Sequence, residues 1–147
     1  MAPTRFFPLV IAGLLAAPLP LAADDDTRVA VDMPARMKQH MLANMRDHLT
    51  AIEEIQASLA AGNYQAAADI AETRLGMTSL QSHGAAHMAG YMPRGMQEIG
   101  TGMHQAASRF AVTAQEAEVT GDLPRALGAL SRITTQCVAC HAAYRIK

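Results

Sequence analysis

Cys137-Val138-Ala139-Cys140-His141, continued as Ala142-Ala143-Tyr144-Arg145, is the stretch on which the reading of the whole chain turns. It holds the only two cysteines, and the C-x-x-C-H order is the sequence signal for covalent attachment of a c-type haem. Each thiol can add to one haem vinyl group to form a thioether. The adjoining histidine then stands where its imidazole can bind the iron. One pentapeptide therefore offers two tethers and an axial ligand: Cys137, Cys140 and His141. Working back from it, Leu127, Leu130, Ile133 or Thr134, Cys137, His141 and Tyr144 recur at helical spacing. The motif is thus expected on the inward stripe of a last helix, with Cys137 and His141 on one face and Cys140 beside them.

Two other chemistries use the same residue types. A redox dithiol of the C-x-x-C kind belongs in a βαβ setting, and a structural zinc site needs a second pair of thiols or a spaced histidine pair. Neither context surrounds this motif. The sequence therefore assigns one covalent haem c per chain.

An export signal is expected at the other end. Arg5 supplies a positive start, Phe6 to Ala17 a short apolar core, and Leu21-Ala22-Ala23 small residues ahead of Asp24-Asp25-Asp26. Residues 1–23 thus read as a secretory signal peptide with cleavage after Ala23, which places the mature chain in the periplasm. The run is too short, and too interrupted by Pro8, Pro18 and Pro20, for a membrane span. The mature remainder is one small domain of about 125 residues. Twelve basic residues against thirteen acidic ones give a formal charge of −1. That balance lacks the clustered basic excess of a nucleic-acid surface. Ten methionines, no tryptophan and 4% aromatics favour helices, and suit a small core filled by a large flat cofactor.

Residues 24–33 carry no helical period and read as a flexible leader. From Pro34 a helix is expected, with Met37, Met41, Met45, His48 or Leu49, Ile52, Ile55 and Leu59 on one face and Gly62-Asn63 as its stop. A second helix runs from Asn63 to near Gly76. Residues 76–94, punctuated by Gly76, Gly84, Gly90 and Pro93, read as a long connection with one helical turn from Ala85 to Ala89. The third helix starts near Pro93, with Met96, Ile99, Met103, Ala106, Phe110, Thr113 and Ala117 inward, and Gly121 ends it. Asp122 caps the fourth, which has Pro124 in its first turn. Four amphipathic helices of this kind predict an all-α antiparallel four-helix bundle over 34–147, a fold that holds cofactors between facing helices.

With its motif so close to the C-terminal end, preceded by Gly121-Asp122-Leu123 and by four helices, the chain resembles the cytochrome c′ family of four-helix-bundle haem proteins. The resemblance spans about residues 34–147 and is most specific in the last helix. It implies a periplasmic monohaem protein, often a homodimer, that is not an enzyme and exchanges electrons with redox partner proteins. In the family's high-spin branch an aliphatic residue covers the sixth iron site and the iron binds small gases such as nitric oxide and carbon monoxide. In its low-spin relatives a methionine of the first helix fills that site. Carried over onto this sequence, Cys137 and Cys140 are the thioether attachments, His141 the axial ligand, and Arg145 the basic residue one turn beyond it. Ala142 departs from the polar residue often found after the histidine. Met41 stands where a first-helix arginine usually approaches a haem propionate.

Aligning the first hairpin with the family sets Met45 opposite the iron, with Met41 one turn away as the alternative and an open sixth site as a third reading. His40 and His48 are further candidates for the sixth iron site as bis-histidine partners of His141, but both are expected partly solvated or hydrogen-bonded at the bundle edge, and His104 at a helix surface. His83, His87, Met88, Met92 and Met96 combine imidazole with thioether sulfur, a donor set that suits copper. The plainer reading is a loop that packs methionines over the haem edge.

Overall fold

The computed structural model describes residues 26–147. The expected signal peptide at 1–23 and the first residues of the leader lie outside that range. The elements in chain order are β1 (Val29–Val31), α1 (Ala35–Ala60), α2 (Tyr64–Ile70), α3 (Ala85–Ala89), α4 (Arg94–Thr120), α5 (Leu123–Ala143) and β2 (Tyr144–Ile146). A π-helical turn (Ala71–Leu75) widens the end of α2, and a 3₁₀ turn (Met77–Leu80) comes after it. The chain is therefore mostly helical, as the composition and periodicity led one to expect. No helix among the described residues is long and apolar enough to cross a membrane.

Local chemistry sets the helix ends where the sequence placed them. Gly62 takes φ +73°, and the amides of Gly62 and Asn63 reach back to the carbonyls of Leu59 and Ser58 to close α1. Only glycine adopts that left-handed backbone without a Cβ penalty. The Asn63 side chain then accepts from the Ala66 amide at 3.1 Å and starts α2. Gly121, at φ +71°, ends α4 in the same manner, and Asp122 caps α5 by accepting from the Arg125 amide at 3.0 Å.

The main core draws Ala51, Ile55 and Leu59 from α1, Ala67 and Ala68 from α2, and Ala106, Ala107, Phe110, Ala114 and Ala117 from α4. Ala126, Ala129, Leu130 and Ile133 of α5 complete it. With alanine at so many contacts the helices approach closely, and Phe110 and Ile55 fill what space remains. α4 packs along α5 and against α2, and α2 packs on α1. Arg74, in the π turn, pairs with Asp47 and Glu54 and so ties that turn to α1.

The two ends of the described chain meet in a way the sequence did not foretell. Val29, Ala30 and Val31 pair in parallel with Tyr144, Arg145 and Ile146, and the Lys147 amide donates to the Val31 carbonyl at 3.0 Å. Residues expected as leader thus form a strand, and Tyr144, expected on the inward stripe of the last helix, instead leaves it in an extended conformation. So short a sheet is weak alone. It persists because Val31, Tyr144 and Ile146 pack into a second apolar cluster with Met33, Met41, Met88 and Met96. Gly95 makes room there, for a Cβ on it would stand 2.6 Å from the Tyr144 hydroxyl. The stripe of α5 also needs one correction: Leu127 is exposed, and Ala126 and Ala129 take the inner face in its place. Ala126, Ala129, Leu130 and Ile133 step by three and four along one buried face of α5, and Leu127 falls off that face.

Candidate functional site

Between the main core and the methionine cluster lies a cavity of about 440 Å³. α1 contributes Met45, His48, Leu49 and Ile52; α4 contributes Ile99, Gly100 and Met103. α5 supplies the C-terminal wall from Ile133 to His141, including Cys137, Cys140 and His141 themselves, and Leu75 closes one side. That volume lies within the range of about 300 to 1,000 Å³ typical of cofactor and small-ligand sites, and the walls are almost wholly apolar.

The fold thus brings Cys137, Cys140, His141 and Met45 onto one surface. Helical spacing does this for the motif, since residues three and four apart share a face. Both cysteines are free and half-buried. Burial raises both thiol pKa values, and at Cys140 the nearby Cys137 adds to the effect. Such thiols remain protonated near neutrality, unlike the thiolate that drives disulfide exchange. His141 is exposed at the mouth, and Met45 faces the cavity from α1 half-buried.

The residues present fit a haem. The donors are two thiols, an imidazole and a thioether around an apolar slot. Leu49 and Val138 also line the slot although 73% and 68% exposed, so a flat apolar group seated there would cover two large apolar side chains. Among the described residues, no arginine or lysine lines it.

Two of the expected cofactor contacts fall elsewhere. Met41 is buried in the methionine cluster and is not part of the cavity wall. Arg145 lies in β2, not one helical turn past His141, with its Nε 3.3 Å from Asp26 Oδ2 but too poorly aligned for a hydrogen bond. Strand pairing at Tyr144 carries it off the helix axis.

Among the histidines, His40 is half-buried and hydrogen-bonded as expected, and His104 is not where the sequence placed it. His104, expected at a helix surface, is buried, and its Nδ1–H donates to the Leu75 carbonyl at 2.7 Å. His48 lines the cavity, with its Nε2 3.4 Å from His83 Nδ1. The three rings of His48, His83 and His104 pack with centroids 4.7 to 5.9 Å apart, and Ser79 Oγ lies within 3.5 Å of both His83 and His104. His40 and Asn44 hold the loop in place by donating to the His83 carbonyl at 2.8 and 3.0 Å. His87 is exposed near Tyr91, so it does not join His83. His48, His83 and His104 lie between 21 and 56 residues apart in the chain, and no local periodicity brings them together. Among the described residues, no three His, Cys, Asp or Glu side chains are grouped so as to hold a metal ion.

This histidine cluster makes the fold sensitive to acid. Burial, reinforced by the neighbouring His83 and His104, holds the His48 pKa down at about 4. Burial likewise lowers His83 and His104, opposed at His104 by its bond to Leu75. An unfolded histidine titrates near about 6.5, so the unfolded chain binds the extra protons in this window and acid favours it. The stability is complete above about pH 6.5 and falls as pH drops toward about 4, where His48 also protonates in the folded state. The expected loss between pH 7 and 4.5 is about 2 kcal/mol, read as a lower urea midpoint, and His48→Gln should flatten the profile. A wild-type midpoint that stays level over this range would contradict the assignment.

No family model, curated protein or solved structure matches the chain, so its function has to be read from its own residues.

Proposed function

We propose that this chain is a periplasmic monohaem c-type cytochrome, a four-helix bundle of the cytochrome c′ kind, which passes single electrons between partner proteins. One observation carries the reading: Cys137, Cys140, His141 and Met45 line a single apolar cavity of haem-compatible size. Haem bound there supplies a one-electron iron couple. The two thiols tether it, the His141 imidazole offers its lone pair from α5, and the Met45 thioether offers a second donor from α1. Ile52, Leu75, Ile99 and Ile133 keep water from the walls, and burial together with a histidine and methionine ligand pair raises the potential. The expected signal peptide supports the periplasmic placement, because c-type haem is attached outside the cytoplasmic membrane.

A second reading has its own support. Leu49 and Ile52 line the cavity from the same helix as Met45, so an aliphatic side chain stands ready to cover the iron if Met45 does not bind it. The chain would then be a gas-binding haem protein. Met45→Ala separates the two. With Met45 as ligand, the ferric wild type is low-spin with a weak near-infrared sulfur-to-iron band. The variant loses that band, and its ferrous form takes up carbon monoxide without delay. Met41→Ala leaves the band in place, since Met41 is outside the cavity. A wild type that is already high-spin and binds carbon monoxide readily would replace electron transfer with gas binding.

A further inference from the structure

The methionines of this chain are not spread through its interior. The main core of eighteen buried residues holds one, Met103. Seven of the ten gather in the second cluster beside β1 and β2. They come from two ladders with the same spacing of four residues: Met33, Met37, Met41 and Met45 leading into and along α1, and Met88, Met92 and Met96 running from α3 into α4. Met37, Met41 and Met45 share one face of α1, whereas Met88, Met92 and Met96 come from α3, the turn after it and α4, and the fold gathers both sets into one cluster. Packing alone does not account for this choice. Leucine matches methionine in volume and helix propensity, and it loses less side-chain entropy on burial. What methionine adds is a soft thioether sulfur.

We propose that Met41, Met88 and Met96, buried and drawn from three separate helices, form a thioether site for a soft monovalent cation, copper(I). Thioethers select copper(I) over the harder divalent ions, and a d¹⁰ ion imposes no demanding geometry on thioethers that belong to one packed cluster. No trio of His, Cys, Asp or Glu competes for it among the described residues. Half-buried Met37 and Met92 stand at the rim of the cluster and give the ion a soft path inward. Met45 is left out because it lines the haem cavity. The site uses none of the three residues of the haem motif, so it stands or falls apart from the haem reading.

The test is a titration of the full haem-bearing chain with copper(I), kept reduced by ascorbate without oxygen and competed against a chromophoric copper(I) chelator. The wild type should retain one copper per chain with its haem absorption unchanged. Each single Met→Leu at 41, 88 or 96 should weaken binding by at least about tenfold, a loss that even removal of a ligand's outer support can cause. The triple leucine variant should bind none. X-ray absorption of the copper-loaded wild type should show a first shell of sulfur, a readout that does not depend on any variant folding. No copper retained against the chelator, undiminished binding in the triple variant, or a shell of nitrogen alone would each overturn the proposal. The first of these would reduce the ladders to packing.

Discussion

Haem should survive acid–acetone extraction of the purified wild-type chain and be wholly absent from the Cys137→Ser, Cys140→Ser double variant. Bond chemistry dictates this outcome before packing does. A thioether carbon–sulfur bond is covalent and withstands both acid and denaturant, whereas a haem held by axial ligands alone leaves once the helices unfold. Serine differs from cysteine by one atom and cannot form that bond. α5 should still form, because its cap at Asp122, its first-turn Pro124 and its buried residues Ala126, Leu130 and Ile133 are untouched. Each single variant should keep one thioether and show an altered haem absorption in denaturant. Release of all haem from the wild type would end the assignment, and the half-buried thiols at the cavity wall would then need another explanation.

The second large effect is expected far from the motif. Phe110 has no exposed surface and stands in the main core among the alanines of α4 and residues of its neighbours. The many alanines of this core have no long side chains to swing into a hole, so Phe110→Ala leaves a cavity that the surroundings can close only in part. Replacements of this kind cost about 3 to 5 kcal/mol. That is a large part of the roughly 5 to 15 kcal/mol by which domains of this size are stable. Urea unfolding of wild type and variant in the same haem-loaded state should show the midpoint falling with little change of slope. A loss below about 1 kcal/mol would mean that the core is looser than its burial implies. Phe110→Leu should recover most of the difference, which separates lost volume from lost aromaticity.

The helix boundaries could be read from the residues because their causes are local. Pro34 and Pro93 stand just before α1 and α4, Gly62 and Gly121 accept the left-handed turn, and Asn63 and Asp122 cap their own helices. Each device acts within about four residues, so a linear reading finds it. The motif was legible for the same reason: the spacing from Cys137 to His141 sets a shared helical face whatever surrounds it. The strand pair was not, because Val29–Val31 and Tyr144–Ile146 lie at opposite ends of the chain, and neither is a strand without the other and without the methionine cluster beneath. Arg145 leaves the helix on that account. His48, His83 and His104 likewise carry no common period. Their convergence depends on how α1, the connection after α2 and α4 pack, and it joins His104, expected at a helix surface, and His48, expected at the bundle edge, to His83 of the connection in one acid-sensitive cluster. Both methionine ladders were visible as spacing, but spacing gives a face and not what the face meets. That Met45 lines the cavity while Met41 is buried in the methionine cluster follows from how α1 sits on α2 and the π turn, a matter of side chains distant in the chain and of the space left once they are packed.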